Sequence, residues 1–120
     1  MKEVLIVDDS SSMRGLVSST LSQGGFKVTA AENGQEALTK AQSQKYSLVV
    51  TDVNMPVMDG LTLVAELRKL APYKFIPILV LTTEVDPAKK SRAKQAGATG
   101  WLVKPFDPRK FLATVAKVLS

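Results

Sequence analysis

Short runs of consecutive apolar residues alternate along this chain with longer stretches in which apolar residues return every third or fourth position. The run Val4 to Val7 ends in Asp8-Asp9, and Met13, Leu16, Val17 and Leu21 then follow at helical spacing until Gly24-Gly25 supplies a stop. Phe26, Val28 and Ala30 alternate with Lys27 and Thr29, which predicts a strand with one polar face and so a sheet edge. Asn33 with Glu36 three residues on predicts a capping-box start for a helix carrying Ala37, Leu38 and Ala41. Leu48-Val49-Val50 runs to Asp52, and the loop residues Asn54 to Gly60 lead into a helix with Leu61, Val64, Leu67 and Leu70. Ile76 to Leu81 is followed by Thr82, and Asp86-Pro87 opens a fourth helix that stops near Gly97. Trp101-Leu102-Val103 leads to Lys104-Pro105, and Asp107-Pro108 opens a last helix carrying Phe111, Leu112, Val115, Val118 and Leu119.

Five strand-helix units in succession, with most strands apolar on both faces, predict a parallel sheet covered on both sides by right-handed crossovers. The expected fold class is α/β, one doubly wound domain over residues 1–120. A chain of 120 residues that is 45% apolar is long enough for one ordinary core. Its apolar runs are only four to six residues long, far short of the ~20 that cross a bilayer. No membrane partner and a cytoplasmic location are the expectation, since the first run follows Met1-Lys2-Glu3 directly without a signal-peptide pattern.

Composition narrows the chemistry. With no cysteine and no histidine, thiol catalysis, Ser-His-Asp hydrolysis, zinc-thiolate sites and most transition-metal sites are excluded. Carboxylates, hydroxyls, lysines and hard cations remain. In doubly wound sheets ligands bind beyond the carboxyl ends of the strands, and the residues ending the runs here are Asp8, Asp9, Asp52, Thr82 and Lys104. Three aspartates in one crevice repel one another unless a divalent cation or an ammonium group joins them. An all-oxygen set selects Mg²⁺, with Mn²⁺ or Ca²⁺ as substitutes. Magnesium beside a carboxylate, a hydroxyl and a lysine is equipment for phosphoryl transfer. Each such residue taken alone is more often a turn former or a helix cap; five of them at the ends of the first, third, fourth and fifth runs are much harder to explain as capping.

Asp8-Asp9, Asp52 with Met55-Pro56 and Met58-Asp59-Gly60, the strand-end Thr82, and Lys104-Pro105-Phe106 together make the chain resemble, over essentially its full length, the receiver domains of two-component response regulators. Among these it is most similar to the stand-alone chemotaxis regulators. The resemblance implies a flavodoxin-like (βα)5 sheet of order 2-1-3-4-5. It implies that Asp52 is the phospho-acceptor, that Lys104 pairs with the phosphoryl group, and that Thr82 donates its hydroxyl to it. By the same resemblance Mg²⁺ is held by Asp9, Asp52 and the backbone carbonyl of Asn54, with Asp8 acting through a water. A cis Lys104-Pro105 bond is expected. Thr82 and Trp101 would form the switch, although tryptophan departs from the Tyr, Phe or His usual at that position. Asn54 and Glu84, two residues beyond Asp52 and Thr82, would set the phosphate lifetime.

The implied function is a phosphorelay module that takes its phosphoryl group from a histidine kinase and binds an output protein, such as a flagellar-motor switch component, as a monomer in chemotaxis. It would catalyse only its own phosphorylation and dephosphorylation. With no nucleotide-binding glycine motif, the chain is not expected to use ATP directly. A receiver excised from a longer regulator is one alternative, and an aspartate-nucleophile phosphatase another. Such phosphatases place two acids two residues apart, whereas Asp8 and Asp9 are adjacent. The formal charge of +5 raises nucleic acid as a partner, but no base-stacking or inserted-helix motif accompanies it, and none is expected. The charge is instead uneven: residues 1–84, with eight basic and nine acidic residues, carry −1, and residues 85–120, with eight and two, carry +6. Lys89, Lys90, Arg92 and Lys94 on the fourth helix and Arg109, Lys110 and Lys117 on the fifth predict a surface that docks an acidic protein segment.

Overall fold

The apolar runs become the strands of one parallel sheet. In the computed structural model, which describes residues 2–120, the order along the chain is β1 (Glu3–Val7), α1 (Ser11–Gln23), β2 (Lys27–Ala31), α2 (Gly34–Ser43), β3 (Leu48–Thr51), α3 (Gly60–Arg68), a 3₁₀ turn (Ala71–Tyr73), β4 (Ile78–Thr82), α4 (Pro87–Ala96), β5 (Gly100–Val103) and α5 (Pro108–Leu119). The strands lie in the order β2-β1-β3-β4-β5, so the flavodoxin-like order implied by the resemblance holds. Val4 is paired with both Val28 and Leu48, Val49 with Ile78, and Val80 with Trp101. β2 is at an edge, as its polar alternation predicts, and Lys27 is exposed there.

Alternation along the strands divides the core. Val4, Ile6, Leu48, Val50, Leu79 and Leu81 pack with Val17 and Leu21 of α1 and Phe111 and Val115 of α5. The residues between them point the other way: Leu5, Val7, Val49 and Ile78 meet Ala37, Ala41, Leu63, Val64 and Leu67 of α2 and α3. A smaller cluster joins Val53, Leu61 and Val80 to Ala93 of α4, with Ala98 and Trp101 against it. Both faces of the sheet are thus covered, which is why its central strands read as unbroken apolar runs.

Helix starts follow the local chemistry. Asn33, Asp86 and Asp107 accept bonds from the backbone N–H groups of Glu36, Ala88 and Arg109 at 2.8, 2.9 and 2.9 Å. The reciprocal half of a capping box at α2 is replaced by an ion pair: the Glu36 carboxylate is 3.2 Å from Lys40, one turn on. The 3₁₀ turn has no counterpart in the predicted elements. It buries Tyr73, whose hydroxyl lies 2.9 Å from the carbonyl of Ala41 and 2.7 Å from that of Gln44, and accepts from the Tyr46 N–H. Arg68, at the end of α3, donates to the carbonyls of Tyr73, Ile76 and Gly97, so one guanidinium ties α3, this turn and the end of α4 together.

Candidate functional site

β1 and β3 are adjacent in the centre of the sheet, so the residues that follow them emerge side by side at its carboxyl end. Asp8, Asp9 and Asp52 offer carboxylate oxygens that all lie within 4.8 Å of one another. Asp8 is buried, Asp52 is 9% exposed and Asp9 faces solvent, so the cluster forms a crevice open on one side. Backbone groups orient two of the three acids: Asp8 Oδ1 accepts from the Ser10 N–H at 2.9 Å, and Asp52 Oδ1 accepts from the Val53 N–H at 2.7 Å. Arg14, from α1, donates to the Asp8 carbonyl at 2.8 Å.

Lys104 enters from the end of β5, and the Lys104-Pro105 bond is cis. Its Nζ stands 2.6 Å from Asp8 and 3.2 Å from Asp52, with 8% of the side chain exposed. Burial by itself would depress the ammonium, but the bond to Asp8 and the charges of Asp52 and Asp8 outweigh it and hold the pKa above its ordinary value. One ammonium among three carboxylates leaves an excess of negative charge. That excess, the absence of nitrogen and sulfur donors, and the 4.8 Å clustering suit a hard divalent cation.

Thr82 is fully buried at the end of β4, and its Oγ1 accepts from the Glu84 N–H at 3.0 Å. Among the described residues its own proton has no acceptor. Trp101 is paired with Val80, so it shares a sheet face with Thr82, two residues along β4, and is half-buried against the α4 cluster. Asn54 and Glu84 meet through a 3.2 Å bond from Nδ2 to Oε2. The structure therefore gathers Asp8, Asp9, Asp52 and Lys104 directly and Thr82, Asn54 and Glu84 at the loops beside them, while Trp101 stands one strand away.

Three further residues beside the site were given no role there by the sequence. A Cβ on Gly60 would meet the Asp52 carbonyl oxygen at 1.8 Å, and the Gly60 N–H donates to the Val53 carbonyl at 2.8 Å, so the start of α3 is packed directly on the backbone of Asp52. Gly34 also packs on the β3–α3 loop: a Cβ there would meet the Met58 carbonyl oxygen at 2.6 Å, and its N–H donates to that carbonyl at 3.0 Å. In that loop Val57 takes a left-handed backbone, with φ of 70°. The third is Lys89, which the sequence groups with Lys90, Arg92 and Lys94 in the basic surface expected to dock an acidic segment. It turns instead toward Asn54 and Glu84, at 3.3 and 3.1 Å. Only the close approach of Gly60 has a signal in the sequence, the Asp59-Gly60 pair; Lys89 has none, because Glu84, five positions before it, lies outside α4 and Asn54 is 35 positions away.

Residues 4–116 match the model of the response regulator receiver domain. The chain is 43% identical over 120 residues to the chemotaxis protein CheY1 of Helicobacter pylori, covering 98% of this chain and 97% of that one. It is similar in structure to the chemotaxis protein CheY4 of Vibrio cholerae, with a TM-score of 0.94, 52% identity and 98% of each chain covered. A receiver domain of the sensor histidine kinase PA1611 from Pseudomonas aeruginosa, solved with a magnesium ion coordinated in its active-site cleft, superposes with a TM-score of 0.91 at 26% identity over 98% of this chain and 97% of that one. Other relatives are longer: the chain spans about half the length of transcriptional regulators that are 36–40% identical to it. The acid cluster, the inward lysine and the strand order thus have a common explanation: the chain belongs to the response regulator receiver domain family.

Proposed function

We propose that this chain is a chemotaxis-type response regulator, acting in the cytoplasm, that accepts a phosphoryl group on Asp52 from a histidine kinase. The observation that carries this reading is the Asp8-Lys104-Asp52 contact at the crevice floor beside exposed Asp9. The similarity to two chemotaxis regulators supports the setting. Asp9, Asp52 and the Asn54 carbonyl would hold Mg²⁺, with Asp8 acting through a water. When bound, the cation neutralises charge on the phosphoryl oxygens.

The chain's own groups account for the rest. The Val53 N–H holds one oxygen of Asp52, which fixes the plane of the carboxylate for attack on phosphorus. As the new P–O bond forms, the P–N bond to the donor imidazole breaks and its electrons return to the ring. Lys104 releases Asp52 and pairs with the phosphoryl oxygens, and Thr82 turns its free proton to them. Movement of Thr82 relieves the sheet face it shares with Trp101, so the indole repacks against α4. The exposed Lys90, Arg92 and Lys94 of α4 and Arg109, Lys110 and Lys117 of α5 then present an altered basic face to an acidic segment of an output protein, such as a flagellar-motor switch component. A receiver belonging to a longer regulator is the second reading, favoured by the half-length coverage of the transcriptional regulators. Both share the same phosphorylation chemistry.

Incubation with acetyl phosphate and Mg²⁺, followed by intact-mass measurement, tests the reading. One added phosphoryl group is expected, absent from Asp52→Asn. No addition, or addition that survives Asp52→Asn, overturns it.

A further inference from the structure

Asn54, Glu84 and Lys89 form a closed triangle of hydrogen bonds between the β3–α3 loop, the β4–α4 loop and α4. Asn54 Nδ2 donates to Glu84 Oε2 at 3.2 Å, Lys89 Nζ donates to the same oxygen at 3.1 Å, and Lys89 Nζ also donates to Asn54 Oδ1 at 3.3 Å. The other carboxylate oxygen of Glu84 is taken by the Asp86 N–H at 3.1 Å. Both polar atoms of the Asn54 amide and both oxygens of Glu84 are therefore occupied. The two loops rise from adjacent strands, just beyond Asp52 and Thr82, so the triangle bars the β3/β4 side of the crevice. Without Lys89 a single neutral-to-charged bond would join the loops. Lys89 is the one basic residue of α4 drawn away from the outward row of Lys90, Arg92 and Lys94, and its side chain is only 36% exposed.

We propose that Lys89 is a positioning residue for the phosphorylated state: its ammonium fastens Asn54 to Glu84 and thereby limits the access of water to the acyl phosphate. The inference rests on the assignment of Asp52 as acceptor. In the step it controls, a water oxygen attacks phosphorus, the bond to the Asp52 oxygen breaks, and its electron pair returns to the carboxylate while the water's proton leaves on inorganic phosphate. Attack in line with that bond needs a water on the open side of the phosphoryl group, and a fixed polar bar there lowers the population of such waters. A partly exposed ion pair is stabilised modestly, so its loss translates into a change of at most about fivefold in rate. The pair is also screened by salt.

The test uses the full chain, phosphorylated with acetyl phosphate and Mg²⁺ and then freed of donor, and follows loss of the phosphoryl group by intact mass. Lys89→Met is expected to shorten the half-life about two- to fivefold, and Lys89→Arg, which keeps the charge and the donors, to return it to near the wild-type value. Raising salt from about 50 mM to about 500 mM should speed the wild type toward the Met variant and leave that variant unmoved. Lys45→Met, exposed and far from the crevice, controls for loss of one positive charge. Should Lys89→Met fail to fold, Lys89→Gln takes its place. An unchanged or longer half-life, or a failure of Arg to restore it, overturns the proposal. Failure of the wild type to take up phosphoryl at all overturns instead the assignment of Asp52.

Discussion

Removing the Lys104 ammonium while keeping the bulk of its stem, as in Lys104→Met, isolates the electrostatics of the crevice. At an effective dielectric of about 20, contacts of 2.6 and 3.2 Å carry gross attractions of about 6 and about 5 kcal/mol. Desolvating the three charged groups offsets most of that, and deleting one partner of a buried pair costs about 3–5 kcal/mol in practice. The crevice is open at Asp9, so water reaches part of the vacated space, and a loss of about 2–3 kcal/mol is expected here. The assay is urea unfolding followed by far-ultraviolet circular dichroism, in EDTA and again in Mg²⁺. In EDTA the variant's midpoint should fall with its slope unchanged. Addition of Mg²⁺ should return more stability to the variant than to the wild type, because a cation that binds only the folded state supplies the missing charge. Introducing Asp8→Asn into the variant should recover part of the loss by removing one of the facing carboxylates. The pKa of Lys104 is raised by folding, so its contribution is complete below the unfolded value near 10.4 and disappears only as pH climbs through the higher folded value. Between pH 7 and pH 9 the difference between wild type and variant should therefore be flat as far as Lys104 is concerned. A loss below about 0.5 kcal/mol, or a further additive loss on adding Asp8→Asn, would refute the account of Lys104 as the counterion of two buried acids.

Three further outcomes follow from single observations. Gly60→Ala drives a methyl group into the Asp52 carbonyl, 1.8 Å away, and should cost about 3 kcal/mol in urea unfolding while slowing the proposed phosphorylation, because the start of α3 is displaced from the Asp52 backbone. Val57 is 81% exposed and holds a β-branched side chain at φ of 70°, so Val57→Asn should stabilise the fold by about 1 kcal/mol, read as a melting temperature about 3–6 °C higher; a decrease would show that the left-handed turn costs nothing here. Bonds from Asn54, Lys89 and the Asp86 N–H hold the Glu84 carboxyl down to about 2, so its contribution is present above the unfolded value near 4.3 and lost as pH falls through about 2. Carbon-detected NMR titration of the Glu84 carboxyl should find that midpoint, and Lys89→Met should move it upward.

The legible part of the fold was the part written in local pattern. Strands buried on both faces read as apolar runs, and Asp86-Pro87 and Asp107-Pro108 mark helix starts because a short acceptor and a fixed φ act within one turn. That the candidate site residues would gather was legible for a related reason: polar residues that end apolar runs come to the same end of a parallel sheet whatever the strand order. The strand order itself came from resemblance, since periodicity does not say which runs are neighbours. The 3₁₀ turn was missed because Ala71-Pro72-Tyr73 has no repeating pattern, and its burial depends on carbonyls of Ala41 and Gln44 some thirty residues away.

Charge shows the same division. The sequence alone determined that residues 85–120 carry the positive excess and that three aspartates and one lysine end strands, because composition and run boundaries are properties of the chain. Tertiary structure alone decided which cations serve which surface. Lys104 is spent inside the crevice, between Asp8 and Asp52, and Lys89 is turned to Asn54 and Glu84, while Lys90, Arg92 and Lys94 stay in solvent. The physical reason is that a lysine stem is long and flexible and commits its charge only where acceptors separated widely along the chain have been brought within about 3 Å of one another's reach.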